Sequence, residues 1–142
     1  MADTLTFELV SPERLLASEP AEMVVLPGAD GDFGVLPLHA PFSSLLRPGV
    51  ITTWQGNNVD KRIFIAGGFA EVNDKACTVL AESAEQVAEI DRARADQLLK
   101  NAREDLAEAK DRTEAEQNRL SQLVAVAEAR VEAVTQGTTG TH

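Results

Sequence analysis

The chain has 142 residues, enough for one ordinary domain or two small ones and too few for a large multidomain enzyme. Thirteen Lys and Arg against 23 Asp and Glu leave a net charge of -10, which argues against a nucleic-acid surface and against adhesion to anionic lipid. A single cysteine, Cys77, excludes an intrachain disulfide and a cysteine-built metal site, so a reducing compartment fits best. No basic-then-apolar leader opens the chain and no run of ~18 apolar residues occurs, so the expectation is a soluble, cytosolic protein.

Composition breaks near residue 84. All six Pro and all six aromatic residues lie before residue 70, and seven of the nine Gly precede Phe69. Beyond it, Ala, Glu, Arg, Leu and Gln dominate, which are strong helix formers. Residues 1–84 therefore read as one module, 85–136 as a second, and 137–142, rich in Gly and Thr, as a disordered tail.

In Thr4-Leu5-Thr6-Phe7-Glu8-Leu9, apolar and polar residues alternate as in a half-buried strand. Further short runs span 22–26, 34–36, 50–54, 61–66, 69–72 and 76–81. Turn formers separate them at Pro27-Gly28, Pro48-Gly49, Gly56-Asn57-Asn58, Gly67-Gly68 and Asn73-Asp74. Many short strands without helical spacers predict an antiparallel β-sandwich or flattened barrel and disfavour a parallel α/β sheet.

The second module predicts an antiparallel αα-hairpin. One apolar stripe runs from Val87 through Ile90, Leu98, Leu99 and Leu106, with Ala95, Ala102 and Ala109 between; the other holds Leu120, Leu123, Val124, Ala127, Val131 and Val134. Thr113-Glu114-Ala115-Glu116 has the form of a capping box, which places the break near 110–112. No Gly or Pro enforces that break, and the same residues could continue as one helix. A hairpin with so thin a seam is expected to be marginal alone and able to change partners.

Catalytic constellations are scarce. His39 and His142 are the only histidines, and neither a zinc-binding HExxH nor a GxSxG nucleophile motif occurs. His39, between Pro37 and Pro41, reads as a loop anchor or a partner contact, and Cys77 as a small buried apolar residue. Gly28, Gly31 and Gly34 match neither dinucleotide nor P-loop spacing, and Asp30 and Asp32 would repel phosphate, which leaves an acidic exposed loop. Asp91 and Arg94 are three residues apart and read either as an ion pair on one helix face or as part of an anion site.

Taken in order, Ser11-Pro12-Glu13-Arg14, Leu26 to Pro37, His39-Ala40-Pro41, Pro48-Gly49, Gly67 to Val72 and Thr78 to Ala81, followed by an acidic Ala-rich helix pair, resemble the epsilon subunit of bacterial F-type ATP synthase. The resemblance covers residues 4 to about 134. It implies a non-catalytic subunit of the rotary central stalk, on the cytoplasmic side of the energy-transducing inner membrane. The sandwich would pack on the gamma subunit and rest on the c ring, with Asp32 and His39 facing the c-ring loops. The hairpin would permit turnover when folded on the sandwich and inhibit ATP hydrolysis when extended into the alpha/beta catalytic head. Ile90-Asp91-Arg92-Ala93-Arg94-Ala95 also fits the motif by which some members bind regulatory ATP, with Ile90, Asp91, Arg94 and Ala95 at the matched positions. Two other classes remain as readings: a free-standing ATP sensor whose hairpin closes on nucleotide, and a sandwich-plus-coil adaptor or holdase.

Overall fold

The computed structural model describes residues 3–139. Ten strands come first: β1 (Leu5–Val10), β2 (Leu15–Ala21), β3 (Met23–Gly28), β4 (Gly31–Val35), β5 (Phe42–Leu46), β6 (Gly49–Gln55), β7 (Asn58–Ile65), β8 (Gly68–Val72), β9 (Ala76–Leu80) and β10 (Ala84–Gln86). A short 3-10 helix (Val87–Glu89) leads into α1 (Arg92–Ala107) and α2 (Glu114–Thr139).

The sheet runs β10-β7-β6-β3-β5-β8-β9-β1-β2, with β4 pairing β3 off this path. It curls into the expected sandwich. At its far end Lys61 Nζ donates to Glu19 Oε2 (2.6 Å) and Gln55 Nε2 to the Pro20 carbonyl (2.8 Å), which ties β2 to β6 and β7. Pairing is antiparallel with one exception, β1 against β9, which run parallel. A parallel pair needs a long crossover, and most of the sandwich lies between these two strands.

Strand alternation points Leu5, Phe7 and Leu9 inward to meet Val24, Leu26, Val35, Ile51, Ile63, Ile65, Val72, Cys77 and Val79, all nearly inaccessible to solvent. Thr53, buried among them, is the one polar member among the described residues; its Oγ1 accepts the Lys61 N–H (3.1 Å) where β7 bulges at Asp60, opposite the Thr53–Trp54 step of β6. That bond replaces a ladder partner the bulge removes. Gly28 admits the closest backbone approach in the β3–β4 turn, since a Cβ there would lie 2.6 Å from the Gly31 carbonyl oxygen and 2.8 Å from the Phe33 ring.

Three strands lie where composition hides them. β2 contains Pro20, tolerated because β2 is an edge strand. β5 is only five residues with two serines, and β10, Ala-Glu-Gln, has no strand-favouring residue. Because β10 pairs with β7, the sandwich extends past Ala84 to Gln86. Helix α1 also starts later than its stripe suggests: Val87 and Ile90 precede it and belong to a contact with the sandwich.

The hairpin forms as expected, with α1 ending at Ala107 and α2 starting at Glu114. Half of the capping box is made, the Glu116 N–H donating to Thr113 Oγ1 (3.2 Å), while the Glu116 carboxylate turns to Arg112 (2.9 Å). The seam is thinner than its stripes: Leu98 and Leu123 are exposed, and Ala95, Ala109, Leu120 and Ala127 supply its buried residues along with Val134. Helix α2 runs through Thr139, past the expected start of a disordered tail; Gly140, Thr141 and His142 lie outside the described residues.

Two outcomes follow for the core. Replacing Phe7 by Ala should destabilise the sandwich by about 3–5 kcal/mol in denaturant unfolding. Burial pushes the Cys77 thiol up from 9.0 to about 12, so the folded chain holds a proton that the unfolded chain releases. Stability should therefore fall with rising pH between about 9 and 12, by up to ~1.4 kcal/mol per unit, and Cys77→Ala should remove that part of the decline.

Candidate functional site

Each strand has an inner and an outer face, and neighbouring residues within a strand point to opposite faces. Five neighbouring strands carry adjacent apolar residues: Leu9-Val10, Leu15-Leu16, Leu45-Leu46, Phe69-Ala70 and Val79-Leu80. One of each pair must point outward. Register aligns the outward members. Leu45 lies opposite Phe69, Phe69 opposite Leu80, Leu80 opposite Val10, and Val10 opposite Leu15. This gives an apolar row across β5, β8, β9, β1 and β2, in which Leu45, Leu15 and Leu80 are 66%, 55% and 45% exposed. Beside the row lies an open cleft of about 610 Å³ bordered by Val10, Phe69, Leu80, Gly67 and Gly68, with Gln122 of α2 on its rim. Sequence reasoning missed this surface, although the apolar dyads that break strict alternation were its signal.

A second outer row is covered by the chain itself. Val50 on β6 lies opposite Phe64 on β7, and Phe64 opposite Glu85 on β10. Helix α2 packs Val126, Ala129 and Ala133 over Val50 and Phe64, joined by Val87 and Ile90 from the segment before α1. Arg130 fastens this patch. Its Nε donates to Glu85 Oε2 (2.9 Å) while the guanidinium lies over the Phe64 ring, 5.1 Å from the centroid. One side chain meets both partners because Glu85 and Phe64 are cross-strand neighbours.

The loop residues singled out from sequence have separate partners. Asp32, exposed at the start of β4, accepts a hydrogen bond from Arg47, whose other guanidinium nitrogen reaches the Gly28 carbonyl. Its charge is thus offset, and the loop is less acidic than composition suggests. His39 lies in the loop between β4 and β5, beside the β8–β9 turn, where the Leu38 N–H donates to the Asp74 carbonyl (2.9 Å). Its ring is 5.0 Å from Phe42, which stands edge-on to Phe33 at 5.3 Å. In the tautomer that fits, Nδ1–H donates to the Ala40 carbonyl (2.7 Å), which leaves Nε2 free of that bond. Leu36 and Leu38 beside it are 55% and 75% exposed, and Leu38 has φ of 68°, a left-handed conformation uncommon for a bulky residue. The loop around His39 therefore offers apolar contact as well as an imidazole.

Of the two readings of Asp91 and Arg94, the ion pair does not form. Asp91 is the N-cap of α1, and its Oδ1 accepts from the N–H groups of Ala93 (2.9 Å) and Arg94 (3.3 Å). Capping satisfies two of the helix's open donors, which an ion pair would leave bare. The Arg94 guanidinium is exposed and has no ion pair among the described residues, Ala95 is buried, and Ile90 joins the covered row. Ile90 also borders a cleft of about 450 Å³ with Arg62, Val87 and Val134, which Asp91, Arg94 and Ala95 do not line.

The molecule is thus a two-module protein, a ten-strand sandwich that carries its own docked hairpin on one outer row and leaves another outer row bare. Comparison with known proteins agrees. The family model for the β-sandwich domain of the ATP synthase delta/epsilon chain matches residues 4–87. An ATP synthase epsilon chain from Rhodospirillum rubrum is 54% identical over 129 residues, spanning 91% of this chain and 95% of its own. One from Paramagnetospirillum magneticum is 50% identical over 135 residues, 94% and 99% of the two chains. The chain belongs to the ATP synthase epsilon chain family, whose members are non-catalytic subunits. In fold it resembles a chain of the Euglena gracilis mitochondrial ATP synthase, solved as OSCP/F1/c-ring, with a TM-score of 0.77, 24% identity and coverage of 92% of this chain and 81% of that one.

Removing the Arg130 side chain should weaken hairpin docking by about 1–2 kcal/mol, the scale of a charge-assisted hydrogen bond plus a half-buried cation–π contact at this partly exposed site. A glutamate-specific protease should then cut α2 about tenfold faster in Arg130→Ala than in the parent chain, with the sandwich left intact.

Proposed function

We propose that the chain is a rotor subunit of the central stalk of a proton-translocating ATP synthase, coupling rotation of the c ring to the alpha/beta catalytic head through the gamma subunit. The observation that carries this reading is the bare apolar row on the outer face of β5, β8, β9, β1 and β2. Rows of this kind mark a protein–protein contact, and the row is assigned to gamma. The loops around Asp32 and His39 are assigned to the c ring, Asp32 through its Arg47-paired carboxylate and His39 through its imidazole and the exposed Leu36 and Leu38.

The hairpin is assigned a regulatory role. Docked by α2, it leaves the catalytic head free; released, it extends toward the head and inhibits ATP hydrolysis. Support comes from the small docking patch, built largely of Val and Ala around Phe64 and one arginine. Gln122 of α2 rims the cleft beside the bare row, so a partner seated there would also touch the hairpin. The subunit would be peripheral to the cytoplasmic side of the inner membrane, held there by the complex. Among the described residues no helix is long and apolar enough to cross a membrane.

Regulatory ATP is the second reading, favoured by Arg94, a guanidinium without an ion pair at the start of α1. Because Asp91 already occupies the N–H groups of Ala93 and Arg94, those groups are not free for phosphate. ATP would rest on the Arg94 side chain, with Ile90 and the buried Ala95 packed behind it. Calorimetric titration of the chain with ATP should show binding that Arg94→Ala weakens at least tenfold; binding unchanged in the variant would remove these residues from the site.

Two measurements test the main reading. Leu45→Asp with Leu80→Asp should abolish association with gamma while changing folding stability by less than about 1 kcal/mol, because both side chains are already exposed. ATPase activity of the complex assembled with a chain stopped at Gln86, which keeps β10, should exceed that with the full chain, most clearly at low ATP. Equal activities would leave the coupling role and remove the inhibitory one.

A further inference from the structure

The turn between the two helices is made without the residues that usually make one. Residues 108–113 include neither Gly nor Pro, and among the described residues Leu38 is the only non-glycine with positive φ. The Glu108 cap itself has φ of -84° and ψ of -3°, within the right-handed region. No left-handed residue therefore fixes the bend, and every residue type in it is one that a helix accepts.

Side chains take the place of the missing stop signal. Gln117 Nε2 lies within hydrogen-bonding distance of three carbonyls, those of Ala109 (3.0 Å), Lys110 (3.1 Å) and Arg112 (3.1 Å), sharing its two hydrogens among them. In an uninterrupted α-helix these carbonyls would accept from the N–H groups of Thr113, Glu114 and Glu116. Thr113 supplies the other half of the exchange, its Oγ1 accepting the Glu116 N–H (3.2 Å). The bend thus replaces main-chain bonds of a continuous helix with bonds to two side chains and one tighter main-chain bond, in which the Arg112 N–H donates to the Ala109 carbonyl (3.0 Å). The Arg112–Glu116 contact, spaced four residues apart, is available in either form and favours neither.

We propose that Gln117, assisted by Thr113, is the lock of a helix-competent hinge at residues 108–113, and that without it the two helices join into one. The thin seam makes this lock matter, since Leu98 and Leu123 are exposed and alanines supply much of the buried contact. The inference deepens the proposed regulatory role of the hairpin, and its readout is made on the chain alone, so it stands or falls separately from inhibition of the complex.

Spin labels on Asp105→Cys and Ala125→Cys provide the test. Both positions are exposed and lie at facing levels of the hairpin, next to the Arg103–Glu128 contact. Native Cys77 is buried and stays unlabelled. Pulsed dipolar spectroscopy of the full-length parent should give one short distance, whereas the two sites in a continuous helix would be ~30 Å apart. Adding Gln117→Ala and Thr113→Ala should raise the ratio of the long to the short population by about tenfold or more, with helical circular dichroism retained. Lys110→Gly in that background, which penalises a continuous helix, should restore the short distance. An unchanged short distance would show that the seam alone holds the bend, and a broad distribution with lost helicity would show that the turn melts instead of straightening; either result overturns the proposal.

Discussion

A sheet whose two faces are both apolar must be covered twice, and that requirement organises this molecule. Inward residues of the strands form the sandwich core, but Val50 and Phe64 point outward and would meet water if α2 did not lie over them. Docking of α2 fixes where the hairpin sits, brings Arg130 between Glu85 and Phe64, and draws Val87 and Ile90 out of the helix they were expected to start. The other outward row, from Leu45 to Leu15, receives no such cover from the chain. One apolar row is thus satisfied within the chain and the other is left bare.

The two modules differ in how firmly they are specified. The sandwich rests on large side chains almost wholly removed from water, among them Phe7, Ile51 and Ile65. Each contributes on the order of 1.5–3 kcal/mol by burial. The hairpin rests on a seam rich in alanine, one guanidinium and a turn held by side-chain amides and hydroxyls. Weak, separable contacts of this sort suit an element that changes position on a firm base.

Much of the architecture was legible because its signals are local. Alternation in Leu5 to Leu9, the Gly and Pro turn formers and the composition break identified the sandwich and the hairpin, and the capping box at Thr113 located the bend. What escaped depends on pairing across the chain. β10 is a strand because β7 offers an edge, not because Ala-Glu-Gln prefers one, and the parallel β1–β9 pair has no signature in either strand. The same holds for function. Asp32 and His39 stood out as chemistry-bearing loop residues, but the Arg47 that offsets Asp32 comes from another loop. Asp91 was legible as a polar residue before a helix, yet its use as a cap rather than as a partner for the Arg94 side chain appears only when the N–H groups are placed. Arg130 carried no pattern at all, since its partners are 45 residues away at Glu85 and further still at Phe64.

The central claim is that the bare row is the seat of the partner while the covered row belongs to the hairpin. Hydrogen–deuterium exchange of the chain, free and within the assembled complex, tests it most directly. The account predicts new protection in the segments that flank the bare row, residues 10–16, 45–47, 66–69 and 80–83. Protection confined to the loops near Asp32 and His39, with those segments unchanged, would contradict it.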